Sequence, residues 1–368
     1  MDGLRLKIRE ALHVPDPLPA LDSAQHGSSE IDGGVVIERV SYTTQLGMRV
    51  PAIVYRPREP RGRMPALIVV NGHGGDKYSW YAMYAGVAYA RIGFVVVTYD
   101  PAGEGERNAE RKSGTRAHDR VIEPERLGRW LGGLMMTDVM QTVSYLLTRN
   151  DVDPARIAAA GYSMGSFVVA LAAAADSRIG ASVMAGGGDL DGTGGYWDRS
   201  KPMCQGVPYR AMAFPGDRAA SLYTLHRRVL IYNSREDTVV AMQGSKDEFF
   251  ADLNQRVIAR GGRPIEWAFV DGASHRPWFV TRPVAEWLTG RDLSSEGQTR
   301  IAGWAWENGI GLDPLYATYD REGGTLALGR AVTALRREQL HLFSEAEWQR
   351  ERARLIHDAW LEKARRDK

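Results

Sequence analysis

Two hydrophobic patterns share the chain. Val35–Thr43 and Met48–Tyr55 alternate apolar with polar positions on either side of Gln45-Leu46-Gly47, which predicts an antiparallel hairpin. Pro65–Val70 and Phe94–Tyr99 are continuous apolar runs rich in β-branched residues. Such runs predict strands covered on both faces, hence a parallel sheet under helices. Further strands are expected at Ile157–Ala160, Ala181–Met184, Val229–Asn233 and Ile265–Val270. They alternate with helical segments at Trp80–Arg91, Leu134–Thr148, Met164–Ala175 and Met242–Arg260, the order of a wound α/β sheet.

Three regions stand apart from that repeat. Residues 1–33 form an N-terminal arm, with a short helix near Leu4–Leu12 followed by a Pro-, Ser- and Gly-rich stretch that favours extended or turn backbone. The α/β domain spans 34–290 and carries two irregular insertions, about 101–129 and 186–227; long insertions in a compact domain are usually functional loops. Beyond Gly290 strand signals stop. A capping box at Ser344-Glu345-Ala346-Glu347 opens a helix with Trp348, Leu355, Ile356 and Trp360 roughly on one face, so 291–368 reads as a helical extension docked on the core.

Composition narrows the function classes. The 368 residues are 44% apolar, and 47 Lys+Arg against 45 Asp+Glu leave a formal charge of +2. No basic field calls for nucleic acid. No apolar run reaches membrane-spanning length and the N-terminus lacks a signal-peptide design, which points to a cytoplasmic protein unless a secretion signal has been trimmed. The single cysteine, Cys204, excludes an internal disulfide and a Cys-based zinc cluster. His and carboxylates then remain as the only plausible strong metal ligands.

Gly161-Tyr162-Ser163-Met164-Gly165 stands between a predicted strand and a predicted helix, the context of a nucleophile elbow. Small residues two before and two after the serine are needed because the turn is strained and crowded. A neutral hydroxyl is a poor nucleophile, so a histidine base and an orienting carboxylate should follow in chain order. Asp237 lies in the loop after Val229–Asn233 and His275 in the loop after Ile265–Val270, both at carboxyl ends of strands, where open α/β sheets place their sites. Glu236 is an alternative acid, and Asp189 or Asp191 a second one. The Asp189–Gly192 stretch matches only part of a calcium loop. Oxyanion donors are expected at the backbone N–H of Met164 and, from the loop Asn71-Gly72-His73-Gly74-Gly75, at that of His73, with Gly74 as runner-up. Glu104 and Arg107 in the loop after Phe94–Tyr99 could reach a substrate or merely shape a charged turn. Tyr196, Trp197, Tyr209 and Trp278 could line a pocket. His13, His26, His118, His226, His341 and His357 read as surface or packing residues.

Taken together, the Asn71–Gly75 loop, the Asp100–Arg107 loop, the elbow at Ser163 and the Asp237 and His275 positions resemble an α/β-hydrolase. Within that superfamily they are most similar to the acetyl xylan esterase-like and dienelactone hydrolase, prolyl oligopeptidase-like branch. The resemblance implies an α/β-hydrolase fold with a mostly parallel eight-stranded sheet flanked by helices. It implies Ser163 as nucleophile, His275 as base, Asp237 as acid, N–H donors at His73 and Met164, and no cofactor. Met164 and Asn71-Gly72-His73 depart from the Gln and His-Gly-Tyr usual in carbohydrate esterases, which weighs against acetyl-xylan specificity. The expected substrate is a small-molecule or carbohydrate ester with a short acyl group, with homo-oligomerisation left open. The alternatives are peptide or carbon–carbon bond cleavage by the same triad, or a non-catalytic scaffold.

Overall fold

The computed structural model describes all residues except 32–33, 61, 120–122, 192–202, 213–215, 241–245, 271–274, 277, 294–300, 303–331, 334 and 368. Nine strands, β1 (Ser23–Ile31), β2 (Val35–Thr43), β3 (Arg49–Pro57), β4 (Met64–Val70), β5 (Val95–Tyr99), β6 (Val152–Tyr162), β7 (Ala181–Ala185), β8 (Val229–Ser234) and β9 (Glu266–Val270), form one sheet in the order β1-β2-β3-β5-β4-β6-β7-β8-β9. β1, β2 and β3 pair antiparallel, β3 is antiparallel to β5, and the remaining pairings are parallel.

The sheet therefore has one strand more than expected, and the extra one lies in the arm. β1 carries no fully buried side chain. It is held at the edge by backbone pairing to β2, so it leaves no hydrophobic alternation to detect.

The helices are α1 (Asp2–Ala11), α2 (Trp80–Arg91), α3 (Pro124–Leu147), α4 (Met164–Ala175), α5 (Met203–Ala211), α6 (Arg218–Thr224), α7 (Lys246–Ala259), α8 (Arg282–Thr289), α9 (Glu345–Leu355) and α10 (His357–Arg366). α3 begins at Pro124 rather than Leu134, inside the expected insertion. Its Gly132 and Gly133 are close-approach sites: a Cβ on Gly133 would sit 1.9 Å from the Leu12 carbonyl oxygen. The 186–227 insertion likewise contains α5 and α6.

Alternation along β4 and β5 splits the core in two. Ala66, Ile68, Val70, Val95 and Val97 face α3 and α4 on one side, while Leu67, Val69 and Val96 face α2 on the other. The C-terminal extension joins both. Ser344 caps α9 as expected, its Oγ accepting from the Glu347 N–H at 3.3 Å while the Glu347 carboxylate accepts from the Ser344 N–H at 2.9 Å. The expectation of one helix with a single apolar face is corrected: extended backbone at Ile356 separates α9 from α10. Trp348 and Leu355 consequently enter the α2-side core, whereas Trp360 enters the α3-side core.

Trp360 is fully buried and donates its indole N–H to Gln45 Oε1 at 2.9 Å. Trp360→Ala should cost about 3–5 kcal/mol. Chemical denaturation checks this, since a detachable appendage would leave the main transition in place.

His226 is a second anchor, its ring contacting Ser182 Oγ at 3.1 Å and the Ala170 carbonyl at 2.9 Å. Burial pushes its pKa down to about 4. An unfolded histidine takes its proton near pH 6.5, so this group's contribution is complete above that value and is lost as pH falls toward 4. Stability should drop by up to about 1.4 kcal/mol per pH unit in that window from this group. Denaturation curves at pH 7, 6 and 5 should show a shallower acid slope for His226→Gln.

Candidate active site

Ser163 occupies the turn between β6 and α4 with φ 55° and ψ −116°. A non-glycine residue there stores about 1–3 kcal/mol of backbone strain, and the surroundings enforce it. A Cβ on Gly161 would lie 2.2 Å from the Gly165 carbonyl oxygen, and one on Gly165 would lie 2.1 Å from that of Val70 at the end of β4. The Ser163 N–H donates to the Ala185 carbonyl at 2.8 Å, and the single Ser166 hydroxyl proton is shared between the carbonyls of Gly161 (2.9 Å) and Ala185 (2.8 Å). The serine is held half-exposed at the carboxyl edge of the sheet.

His275 Nδ1 lies 2.6 Å from Asp237 Oδ2. The carboxylate is fully buried, and its other oxygen accepts the N–H groups of Val239 (2.9 Å) and Val240 (3.2 Å). Glu236 instead accepts from Ser234 Oγ at 2.9 Å and is exposed. Asp189 is paired with Lys246 at 3.0 Å, and Asp191 accepts from the Tyr209 hydroxyl and, at 3.1 Å, from the Ala219 N–H. Among the four carboxylates considered, the structure brings Asp237 to the imidazole. Asp189 and Asp191 are thus occupied in structural pairs, and Gly192 lies outside the described residues.

The imidazole is placed from two sides. Its ring centroid lies 4.9 Å from that of Tyr162, the residue before Ser163. On the other side it rests over Gly186, where a Cβ would fall 2.8 Å from His275 Cε1. Gly186 has φ 65° and is pinned by Asn233, whose Oδ1 accepts the N–H groups of Gly186 (2.6 Å) and Gly187 (3.1 Å) while its Nδ2 donates to Gly187 O at 2.8 Å. Asn233 escaped the sequence reading; a buried amide closing the apolar run Val229–Tyr232 was the available signal.

The β4–α2 loop approaches from a third side. A Cβ at Gly72 would meet Ser163 Cβ at 3.2 Å, so only glycine lets this loop lie against the elbow. Asn71 Nδ2 donates to the Tyr99 carbonyl at 3.1 Å, and the Gly72 N–H donates to the Tyr81 hydroxyl at 3.2 Å. Among the described residues no hydrogen-bond partner is recorded for the backbone N–H of His73 or of Met164.

Other candidates fall elsewhere. Arg107 is buried, ion-paired with Asp138 and donating to the Asp100 carbonyl at 3.2 Å, so its guanidinium is spent inside the core. Glu104 is buried and accepts the N–H groups of Arg116 (2.6 Å) and Thr115 (3.1 Å). Burial pushes its pKa up to about 7 against those hydrogen bonds. Both residues shape the insertion. Gly74 has φ 74° and its carbonyl accepts the Gly114 N–H at 3.1 Å, tying the loop to the same insertion. The Trp278 side chain, Tyr196 and Trp197 lie outside the described residues.

One grouping had no sequence signal. His73, His118, Asp119 and Cys204 converge from three separate segments. A lone Cys204 argues against a Cys-based zinc cluster and His118 reads as a packing residue, so neither points to the other in sequence.

The profile of the prolyl oligopeptidase family matches residues 77–289. The chain belongs to the prolyl oligopeptidase family. The match covers the elbow, Asp237 and His275, and the fold is that of the α/β-hydrolases. YtaP of Bacillus subtilis (strain 168), whose name suggests a hydrolase, is 27% identical over 143 residues, 36% of this chain and 46% of its own. The chain thus spans less than half of that relative. An uncharacterised protein of Mycobacterium tuberculosis is 27% identical over 271 residues, 73% of this chain and 80% of its own. Among solved structures, the methylesterase BT1017 superposes with a TM-score of 0.67 at 18% identity, covering 100% of this chain and 73% of that one. The acetyl xylan esterase from Paenibacillus sp. R4 gives 0.55 at 15% identity, covering 79% and 93%.

Gly165→Ala tests the crowding at the elbow. Its Cβ would meet backbone atoms of Val70 and Asn71, which have no rotamer to change, so a loss of about 1–3 kcal/mol is expected. A lowered thermal midpoint checks this.

Proposed function

We propose that the protein is a serine-dependent carboxylic ester hydrolase acting through Ser163, His275 and Asp237. The observation that carries this reading is the buried Asp237 carboxylate 2.6 Å from His275 Nδ1, with the imidazole in tilted ring contact with the residue that precedes a strained Ser163. In the proposed cycle Ser163 Oγ attacks the ester carbonyl while His275 Nε2 takes its proton. The N–H groups of His73 and Met164 receive the developing oxyanion. His275 then protonates the departing alcohol, leaving an acyl-serine. A water, deprotonated by the same nitrogen, attacks that ester, releasing the carboxylic acid and restoring the serine. Asp237 fixes the tautomer throughout.

Esters of a short acyl group, acetylated carbohydrates among them, are the proposed substrates; the structural neighbours named as a methylesterase and an acetyl xylan esterase support an ester with one small side. A p-nitrophenyl ester series of increasing acyl length tests both claims. Hydrolysis should fall steeply beyond acetyl, Ser163→Ala should lower kcat/KM by at least about 10⁴-fold, and Asp237→Asn should lower kcat by about 10⁴-fold. Glu236→Gln should stay near wild type. Serine-independent turnover would sink the assignment. The family match favours a second reading, cleavage of a peptide bond by the same residues. Serine-dependent release of p-nitroaniline from a prolyl peptide, with no ester hydrolysis, would select it.

A further inference from the structure

The His73, His118, Asp119 and Cys204 side chains take no part in the proposed ester chemistry, yet they point to one spot. His73 comes from the loop after β4, His118 and Asp119 from the insertion after β5, and Cys204 from α5. One ligand atom from each lies within 4.8 Å of all the others. His73 Nε2 is 2.9 Å from Cys204 Sγ and 3.6 Å from Asp119 Oδ2. Bonds of about 2.0–2.3 Å to zinc imply tetrahedral ligand–ligand edges of about 3.3–3.8 Å. The cluster is within about 1 Å of closing on an ion.

Its hydrogen bonding is unfinished in a telling way. His118 is 1% exposed, its Nδ1 lies 3.0 Å from the Ala102 carbonyl, and its Nε2 is buried with no partner. Metal-bound histidines are characteristically held like this: a backbone carbonyl takes one ring N–H and leaves the lone pair of the other nitrogen for the ion. Asp119 Oδ2 accepts from Arg116 at 2.6 Å, while Oδ1 is buried with no partner. Two buried acceptor atoms in one cluster, beside a thiol that contacts the same carboxylate, leave lone pairs available to a cation.

A hydrogen-bonded relay with a cysteine nucleophile would divide the two His73 nitrogens between thiol and carboxylate. Here Cys204 and Asp119 converge on the same nitrogen, Nε2. That convergence suits a single central ion.

We propose that His73, His118, Asp119 and Cys204 form a tetrahedral site for one divalent transition-metal ion of zinc's borderline-soft class. On binding, Cys204 releases its thiol proton to solvent. One thiolate, one carboxylate and two neutral imidazoles then balance the two positive charges, giving a neutral buried complex. An N₂SO donor set excludes the hard, all-oxygen ions magnesium and calcium as preferred occupants. The ion would clamp the β4–α2 loop to α5 and to the insertion after β5. Because Met164 Sδ lies 4.0 Å from Cys204 Sγ, the clamp adjoins both residues proposed as oxyanion donors. The site stands independently of the ester reading, because its test reads metal coordination rather than turnover.

The full chain, stripped with a chelator and desalted, is titrated with Co²⁺ and separately with Zn²⁺. Since Cys204 is the chain's single cysteine, a thiolate-to-cobalt charge-transfer band can arise only there. The expected result is that band together with tetrahedral d–d absorption, saturating at one equivalent and abolished by one equivalent of Zn²⁺, with a raised thermal midpoint in Zn²⁺. His118→Ala should weaken binding at least about tenfold, since loss of a ligand costs no less than loss of its outer-sphere partner. Cobalt binding without a charge-transfer band, or no binding of either ion, overturns the proposal. Because the decisive band is read on the wild-type chain, a misfolded variant would not obscure it.

Discussion

The whole candidate site depends on backbone meeting backbone at the elbow. Gly165 sits against the end of β4, and Gly161 against the first turn of α4, at distances no side chain would permit. That contact fixes the β6–α4 turn relative to β4, and with it the angle at which Ser163 leaves the sheet. Since the loop carrying His73 continues directly from β4, the same contact sets Ser163 and that loop in one frame. The imidazole is then located by Gly186 and Tyr162, on β7's exit and on the elbow itself. Three absent Cβ atoms, at Gly72, Gly165 and Gly186, therefore do as much positioning as any hydrogen bond at the site.

A buried charge network plays the matching role for the insertion after β5. Lys77 is fully buried between Asp100 and Glu106, and Arg111 approaches Glu106 at 2.7 Å. Glu106 also accepts the N–H groups of Leu342 (3.1 Å) and Phe343 (3.2 Å), and its carbonyl accepts the Trp348 indole at 2.8 Å. Desolvating these ions offsets much of their attraction, so their chief contribution is geometric: only one register of insertion, α2 entry and C-terminal segment satisfies all of them. The Arg107–Asp138 pair applies the same rule between the insertion and α3.

Much of this was legible in the sequence because it is written in local pattern. Continuous β-branched runs identified β4 and β5, alternation identified β2 and β3, and a glycine-flanked serine between strand and helix identified the elbow. Asp237 and His275 were legible because loops at strand carboxyl ends share an edge by topology alone. What escaped has no local signature. β1 buries no side chain fully and is built mostly of polar and small residues, so it carries no apolar alternation. The first turns of α3 fall in a charged, glycine-rich stretch, and their packing against Leu12 is a tertiary contact. The convergence of His73, His118, Asp119 and Cys204 exists only after three distant segments have packed, and Arg107 could not be distinguished from a substrate ligand until Asp138 was found beside it.

The C-terminal pair of helices has a consequence for how the chain is made. Trp348 seals one side of the sheet and Trp360 the other, and both are among the largest fully enclosed side chains in the molecule. During synthesis the ribosome releases these residues after every strand of the main sheet has already emerged. A nascent chain can therefore assemble its sheet and its elbow early, yet both of its apolar layers remain uncovered where the tryptophans will dock. Between those two moments the growing polypeptide presents apolar surface on both sides at once, the condition in which aggregation competes with folding.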